Sequence, residues 1–323
     1  MRKPIYVAFA FCAALLSAQA QDSKTHAEEL NKESEKMREQ NDTTPAQWKT
    51  SGTVNISGQQ VSLTNWAAGG QSAISANGLI SLFAGYINKK HFWTNNLDLA
   101  YGVIKQASNR KWWKNDDRIQ FTSKYGYKAF DHVYYTALAD FKSQFAAGYN
   151  YPNDSARISN FMAPAYVVAA LGFDYRPHKM VSFFIAPATA RITFVNDDTL
   201  AKYGAFGVQK EVRDVNDGHV ITPYKKIREQ FGGYFKMVFK KTVMENVDFA
   251  TTLELFSDYL HNPQDLYVNW TTLTTMKVNK YISATLSTQM IYDEAVMIKD
   301  KDGKVGPRLQ FKQVLGLGLA YKF

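Results

Sequence analysis

From about residue 48 onward the chain alternates apolar and polar residues with a period of two, the pattern of strands whose two faces meet different surroundings. In the final stretch Leu309, Phe311, Gln313, Leu315, Leu317, Leu319, Tyr321 and Phe323 share one face, and Arg308, Gln310, Lys312, Val314, Gly316, Gly318, Ala320 and Lys322 share the other. One face is oily and the other is polar or small. The same alternation sets Phe249, Thr251, Leu253 and Leu255 against Asp248, Ala250, Thr252 and Glu254. It sets Tyr135, Ala137, Ala139 and Phe141 against Thr136, Leu138, Asp140 and Lys142, and Phe235, Met237 and Phe239 against Tyr234, Lys236, Val238 and Lys240.

Marked along the whole chain, this pattern predicts twelve strands at 49–58, 72–87, 92–106, 117–129, 132–146, 160–175, 179–195, 225–240, 243–258, 265–278, 280–293 and 308–323. Their connections alternate. Residues 88–91, 130–131, 176–178, 241–242 and 279 make tight turns, whereas 59–71, 107–116, 147–159, 196–224, 259–264 and 294–307 are longer. Outer-membrane barrels place short turns in the periplasm and longer loops outside, and an even strand number brings both ends to the periplasmic side. A soluble β-sandwich also alternates, but it has no reason to grade its connections in this way and needs polar outer faces. The expected fold class is therefore all-β: a transmembrane antiparallel up-and-down β-barrel of about twelve strands, occupying residues 49–323.

The segment ahead of the strands has a different texture. Arg2 and Lys3, an apolar run from Ile5 to Leu16 and the closing Ala18-Gln19-Ala20 read as a cleaved secretory signal peptide over residues 1–20. Residues 21–48 are charged and poor in large apolar side chains, as suits a short solvated helix or a flexible periplasmic lead-in. The only cysteine, Cys12, falls within the leader, so the exported chain is expected to carry no thiol.

Composition fits a barrel better than a helical membrane protein. Aromatics make up 14% of the residues, with 19 Tyr and 21 Phe, yet mean hydropathy is -0.32 and no later stretch is apolar for the length of a membrane helix. Strands that face lipid on one side and a polar lumen on the other reconcile the two. The formal charge is +9, or +7 without Arg2 and Lys3. The cations alternate with apolar residues along strands and do not cluster on a helix or arm, so no nucleic-acid partner is expected.

Leu315, Leu317, Leu319, Tyr321 and Phe323 have the pattern of a signal read by barrel-insertion machinery, since a terminal edge strand is a ready template for pairing. Five further stretches carry a resemblance: Asn65-Trp66-Ala67-Ala68-Gly69-Gly70, Ser143 to Tyr149, Ser159 to Tyr166, Leu255 to Tyr259 and Ile291-Tyr292-Asp293. With them the chain from about Trp48 to Phe323 resembles an uncharacterised family of Bacteroidetes outer-membrane proteins, grouped as a domain of unknown function. The resemblance implies a location and a fold and leaves the activity open.

Candidate chemistry is sparse. Asn65, Trp66, Gly69 and Gly70 suit either a loop folded into the lumen, with Trp66 as a stacking platform, or a tight connection with Trp66 anchored at the membrane interface; the second is the simpler reading. Trp112 and Trp113 beside Arg110, Lys111 and Lys114 fit an outer aromatic girdle touching lipopolysaccharide and outer-membrane lipid. Lys124, Lys142, Lys236, Lys277, Arg308 and Lys312 share the inward face with Asp98, Asp140, Asp248 and Glu254. Such a lumen is either an open, mildly anion-selective passage or a salt-bridged plug of side chains.

Ser257, Asp258 and His261 come nearest to a catalytic grouping, but consecutive strand residues point to opposite faces. Asp214, Asp217 and His219 lack any calcium-loop spacing. No catalytic, cofactor or metal site is therefore expected, and no cofactor. The anticipated role is passage or binding of a small solute or lipid, with a membrane-embedded lipid hydrolase using His261 and a structural or surface-interaction barrel as alternatives.

Overall fold

The structure is a computed structural model that describes residues 46–62, 72–107, 111–151, 153–178, 180–277, 282–299 and 304–322. The leader, most of the charged lead-in, Asn65, Trp66, Gly69, Gly70 and Phe323 lie outside the described residues, as do the side chains of Lys277, Lys312, Leu315, Leu317, Leu319 and Tyr321.

Twelve antiparallel strands, each hydrogen-bonded to its neighbours in the chain, form one sheet. They are β1 (Gln47–Val61), β2 (Ala73–Asn88), β3 (His91–Gln106), β4 (Trp113–Phe130), β5 (Val133–Ser143) and β6 (Ala165–His178). The second half comprises β7 (Val181–Phe194), β8 (Ile227–Met244), β9 (Val247–Asp258), β10 (Leu266–Lys277), β11 (Ile282–Tyr292) and β12 (Gln310–Lys322). β1 also pairs with β12, through Thr53↔Lys322, Val54↔Tyr321 and Asn55↔Ala320, so the sheet closes into a barrel. Closure removes the free edges that would otherwise have to find hydrogen-bond partners. Among the described residues no helix is long and apolar enough to cross a membrane.

The expected strand number and the grading of the connections hold, while several strand ends move. β8 runs on to Met244, and the turn falls at Glu245-Asn246 instead of 241–242, because Asn246 takes the left-handed conformation (φ 61) that asparagine tolerates. β5 stops at Ser143, short of the anticipated 146, since the Asp117 carboxylate accepts from the backbone N–H groups of Phe145 (2.7 Å) and Ala146 (2.8 Å) and draws the chain out of the ladder. Residues 148–149 then pair with 157–159 as a small hairpin above the barrel. Arg308 precedes β12 and does not lie on it.

The 195–226 connection, anticipated as a loop over 196–224, carries a core of its own. Helix α1 (Asp198–Lys202) is capped by Asp197, whose side chain accepts from Thr199 N and Leu200 N. Leu200 and Ala201 pack with Val195, Val208 and Ala163 under the flanks of Phe206 and Tyr224. The result is a folded cap at the long-loop end of the barrel. The expectation failed because five helical residues give too short a window for any periodicity to show.

Candidate functional site

The two faces of the wall differ as the alternation requires. Outward positions on the described strands are apolar and aromatic, among them Tyr135, Leu171, Phe173, Tyr175, Ile185 and Phe231. Towards the short turns, aromatic rings follow one another around the outside: Trp48 against Tyr86 (5.2 Å) and Trp93 (6.0 Å), Tyr135 against Phe173 (5.5 Å), and Phe183 against Tyr175 and Phe235 (6.4 Å each). Such a girdle suits a membrane interface, where each ring meets lipid on one side and water on the other. A closed barrel with an oily outer wall and a polar interior is built for a bilayer crossed by strands. The chain is an outer-membrane β-barrel protein.

Inside, the described side chains meet one another in layers along the lumen. At the short-turn end Phe83, Ile87 and Phe92 form an apolar cluster against Tyr134. Gly126 makes room for it, because a Cβ there would lie 2.2 Å from the Phe92 ring. The Arg176 guanidinium lies over Phe92 (4.7 Å) and Tyr134 (4.8 Å), where the negative faces of two rings share its charge.

One layer higher, the fully buried Asp174 holds Arg176 on one side and Lys124 (2.5 Å) on the other. A buried carboxylate between two cations is retained because both partners neutralise it. Phe184, Leu138, Ala170 and Ala186 pack beside Tyr234 at this height, and the Lys124 ammonium lies over the Phe184 ring (5.1 Å).

Other inward carboxylates also find partners. Glu254 accepts from Lys236 (2.9 Å), Tyr234 (3.0 Å) and Asn269 (2.9 Å), and Asn269 accepts in turn from Gln289 (3.0 Å). Asp140 takes Thr122 (2.5 Å), Gln120 (3.3 Å) and Lys142 (3.3 Å), while Asp98 takes the Ser81 hydroxyl (2.5 Å). Lys124, Lys142 and Lys236 therefore each stand within ion-pair distance of a carboxylate. Asp248 sits at the turn end, where it accepts from Thr242 (2.7 Å).

Near the cap Arg191 pairs with Asp293 (3.4 Å) and lies over the rings of Tyr267 (4.2 Å), Phe256 (5.6 Å) and Tyr166 (5.9 Å). Sequence reasoning missed Asp174, Arg176 and Arg191. Asp174 and Arg191 occupy inward positions on strands it recognised, so parity alone could have placed them on the lumen list, whereas Arg176 fell in the expected 176–178 turn, which β6 instead runs through to His178.

The other candidates separate. His261 Nδ1 lies 3.3 Å from Asp258 Oδ2, but the Ser257 hydroxyl donates to the Pro263 carbonyl (2.6 Å). Ser257 thus does not join the other two. Asp214, Asp217 and His219 converge to within 4.8 Å in the exposed part of the cap, where His219 contacts Asp217 (2.6 Å) and Asp214 accepts from Asn216 N (2.7 Å). Those contacts are the local bonds of a tight turn. Trp113 stacks on Tyr151 (4.7 Å), and Trp112 lies beneath the Lys105 ammonium (5.9 Å) at the long-loop rim.

Also at the long-loop end, outside the membrane span, Asp198 binds the Tyr224 hydroxyl (2.7 Å) and the Lys226 ammonium (3.0 Å). The Tyr224 hydrogen bond first, then Lys226, hold the Asp198 carboxyl below its ordinary range, and the Asp198 hydrogen bond raises both Tyr224 and Lys226.

Residues 58–149 match a family described as a protein of unknown function (DUF3078). The match runs from the upper part of β1 to the hairpin above β5. No curated protein matches the chain. Among solved structures, the NanC porin is similar at 9% identity with a TM-score of 0.35, over 84% of this chain and 98% of that one. An outer membrane channel from Pseudomonas putida F1 is similar at 12% identity with a TM-score of 0.38, over 87% and 96%. The CymD monoaromatic hydrocarbon channel is similar at 9% identity with a TM-score of 0.34, over 92% of each chain.

Proposed function

We propose that the protein is a passage for small hydrophilic solutes across the outer membrane, with no catalytic step. The observation that carries this reading is the lining: polar and ion-paired side chains face the lumen from the short-turn end to the cap, inside a closed wall that is apolar outside. A barrel that served only as a scaffold in lipid would have no use for charges held at every level of its interior, since each costs desolvation free energy unless it is paired.

The bulky layer of Phe83, Ile87, Phe92, Tyr134 and Arg176 belongs to β2, β3, β5 and β6. Lys236 on β8 and Lys142 near the far end of β5, about a third exposed, stand beside Glu254 and Asp140. The route for solute runs past these paired charges.

Two partners belong to the same reading. Lipopolysaccharide fits the long-loop rim, where Lys105 and Trp112 present a cation beside an exposed ring. Barrel-insertion machinery fits the β12 strand as its template for pairing.

The test is ion current through the full mature chain in a planar bilayer, compared with Phe92→Ala. Steady openings that widen in the variant are the expected result, because the truncation removes the ring that Arg176 covers. Silence from both proteins, each shown to be folded, would overturn the reading.

A further inference from the structure

Several buried side-chain atoms of the barrel, Arg176 Nε and Thr53 Oγ1 among them, meet no hydrogen-bond partner among the described residues, and beneath the cap Gln230 is one such case. Gln230 is only 6% exposed, and its Nε2 donates to Asp258 (3.3 Å), yet its Oε1 meets no hydrogen-bond donor. Turning the amide over would not help, because the oxygen would then face the Asp258 carboxylate. A buried acceptor without a donor is costly, and a native lumen keeps one where something else supplies the donor.

Two residues along the same face of β8, the Arg228 side chain makes no hydrogen bond or ion pair with a described residue and feels Asp293 and Asp258 only through space. Its guanidinium passes beneath the cap at Gly207, where a Cβ would lie 2.7 Å from Nη1. Gly207 holds a positive φ of 81, a conformation that favours glycine, and its missing Cβ leaves room for the guanidinium. Opposite this pair on β7 stand Thr193 and Arg191, in register with Arg228 and Gln230.

From this geometry we infer that the space between Gln230, Arg228 and the aromatic group around Arg191 is a binding site for an uncharged, polyhydroxylated solute such as a simple sugar. The inference deepens the passage reading and rests on it for the solute's route. Three features choose the chemical class. The formal charges balance, with Arg191 and Arg228 against Asp258 and Asp293, so an ion of either sign meets a repelling group for each attracting one. A hydroxyl both donates and accepts, which suits an acceptor (Gln230 Oε1) beside a fork of donors (Arg228). The phenol rings of Tyr166 and Tyr267, with Phe256, supply flat apolar walls for the C–H face of a ring.

The experiment is saturation-transfer NMR on the full mature chain in detergent, with D-glucose and D-gluconate as probes, repeated for Arg228→Leu and Gln230→Leu. Resistance to unfolding by detergent without heating shows that each variant is folded. Glucose should receive transfer from the wild type, and each variant should weaken its binding by about 10-fold or more, as expected for one hydrogen bond lost at a buried partner. Glucose binding equal in all three proteins, or absent from the wild type, would overturn the site. Gluconate bound more tightly than glucose would overturn the choice of an uncharged ligand.

Bilayer current in potassium chloride separates this inference from the passage reading. Current without glucose binding removes the site and leaves the passage, whereas glucose binding without current does the reverse.

Discussion

The two ends of the lumen differ in how their charges are paired. At the short-turn end every charge has its answer nearby: Asp174 lies between Lys124 and Arg176, and Arg176 lies against Phe92 and Tyr134. Beneath the cap Arg191 is equally well held, but Gln230 and Arg228 beside it are not. Paired charges rigidify the part of the barrel that contains them, whereas a cation in contact with no carboxylate marks a place where a ligand can complete the structure. The lower lumen is thus read as a permanent constriction and the upper lumen as a receptive mouth.

The sharpest way to break this contrast is to damage the constriction at its hub. Asp174→Ala leaves Lys124 and Arg176 buried beside each other without a counter-charge, and removing one partner of a buried pair typically costs about 3–5 kcal/mol. Unfolding in urea, followed by tryptophan fluorescence of the refolded barrel, should show a loss of that order. Gln230→Ala, at the other end, should cost less, about 1 kcal/mol, because it removes one hydrogen bond, to Asp258, together with an acceptor already without a donor. Equal losses from both substitutions would mean that the two ends do not differ.

A smaller effect is expected from Gly126→Ala. The added methyl meets the Phe92 ring, which must move, and forcing one carbon into a packed position costs about 1–3 kcal/mol. Because Phe92 supports Arg176, the displacement should also raise bilayer current relative to wild type. A stability loss with unaltered current would show that Phe92 packs the wall without narrowing the path.

How far the sequence foretells this contrast depends on the scale of the signal. The period-two alternation continues over whole strands, so the inward register of Lys124, Asp140, Lys142, Lys236 and Glu254 can be read directly, and the structure keeps all five on inward faces. Which carboxylate each cation meets depends on inter-strand register, and one chain carries no record of it. Lys236 faces Glu254 because β8 and β9 turn at Asn246, three residues beyond the expected start of β9, so the turn error left this pair out of reach. The Arg191 cluster draws on residues from β6, β7, β9 and β10 and on Asp293 after β11, and the cap is assembled from helix and loop pieces too short to have a period. Local alternation therefore foretold the faces, and long-range pairing decided the site.

The least disruptive probe of the receptive end is pH, acting on the cap that covers it. Asp198 joins the cap to Tyr224 and Lys226, and its carboxyl is held below its ordinary range in the folded state. A group depressed in this way contributes stability above its unfolded pKa and loses that contribution as pH falls through the folded value. The contacts are exposed and screened by salt, so the effect is confined to the cap and leaves the barrel folded. Limited proteolysis within residues 195–226 should accelerate as pH drops below the ordinary aspartate range, and Asp198→Asn should show the faster cleavage already at neutral pH with little further dependence on acid. If the wild type and Asp198→Asn are cut at the same rate across that range, the Asp198 contacts do not hold the cap, and the covering of the upper lumen rests on Leu200, Ala201 and Val208 alone.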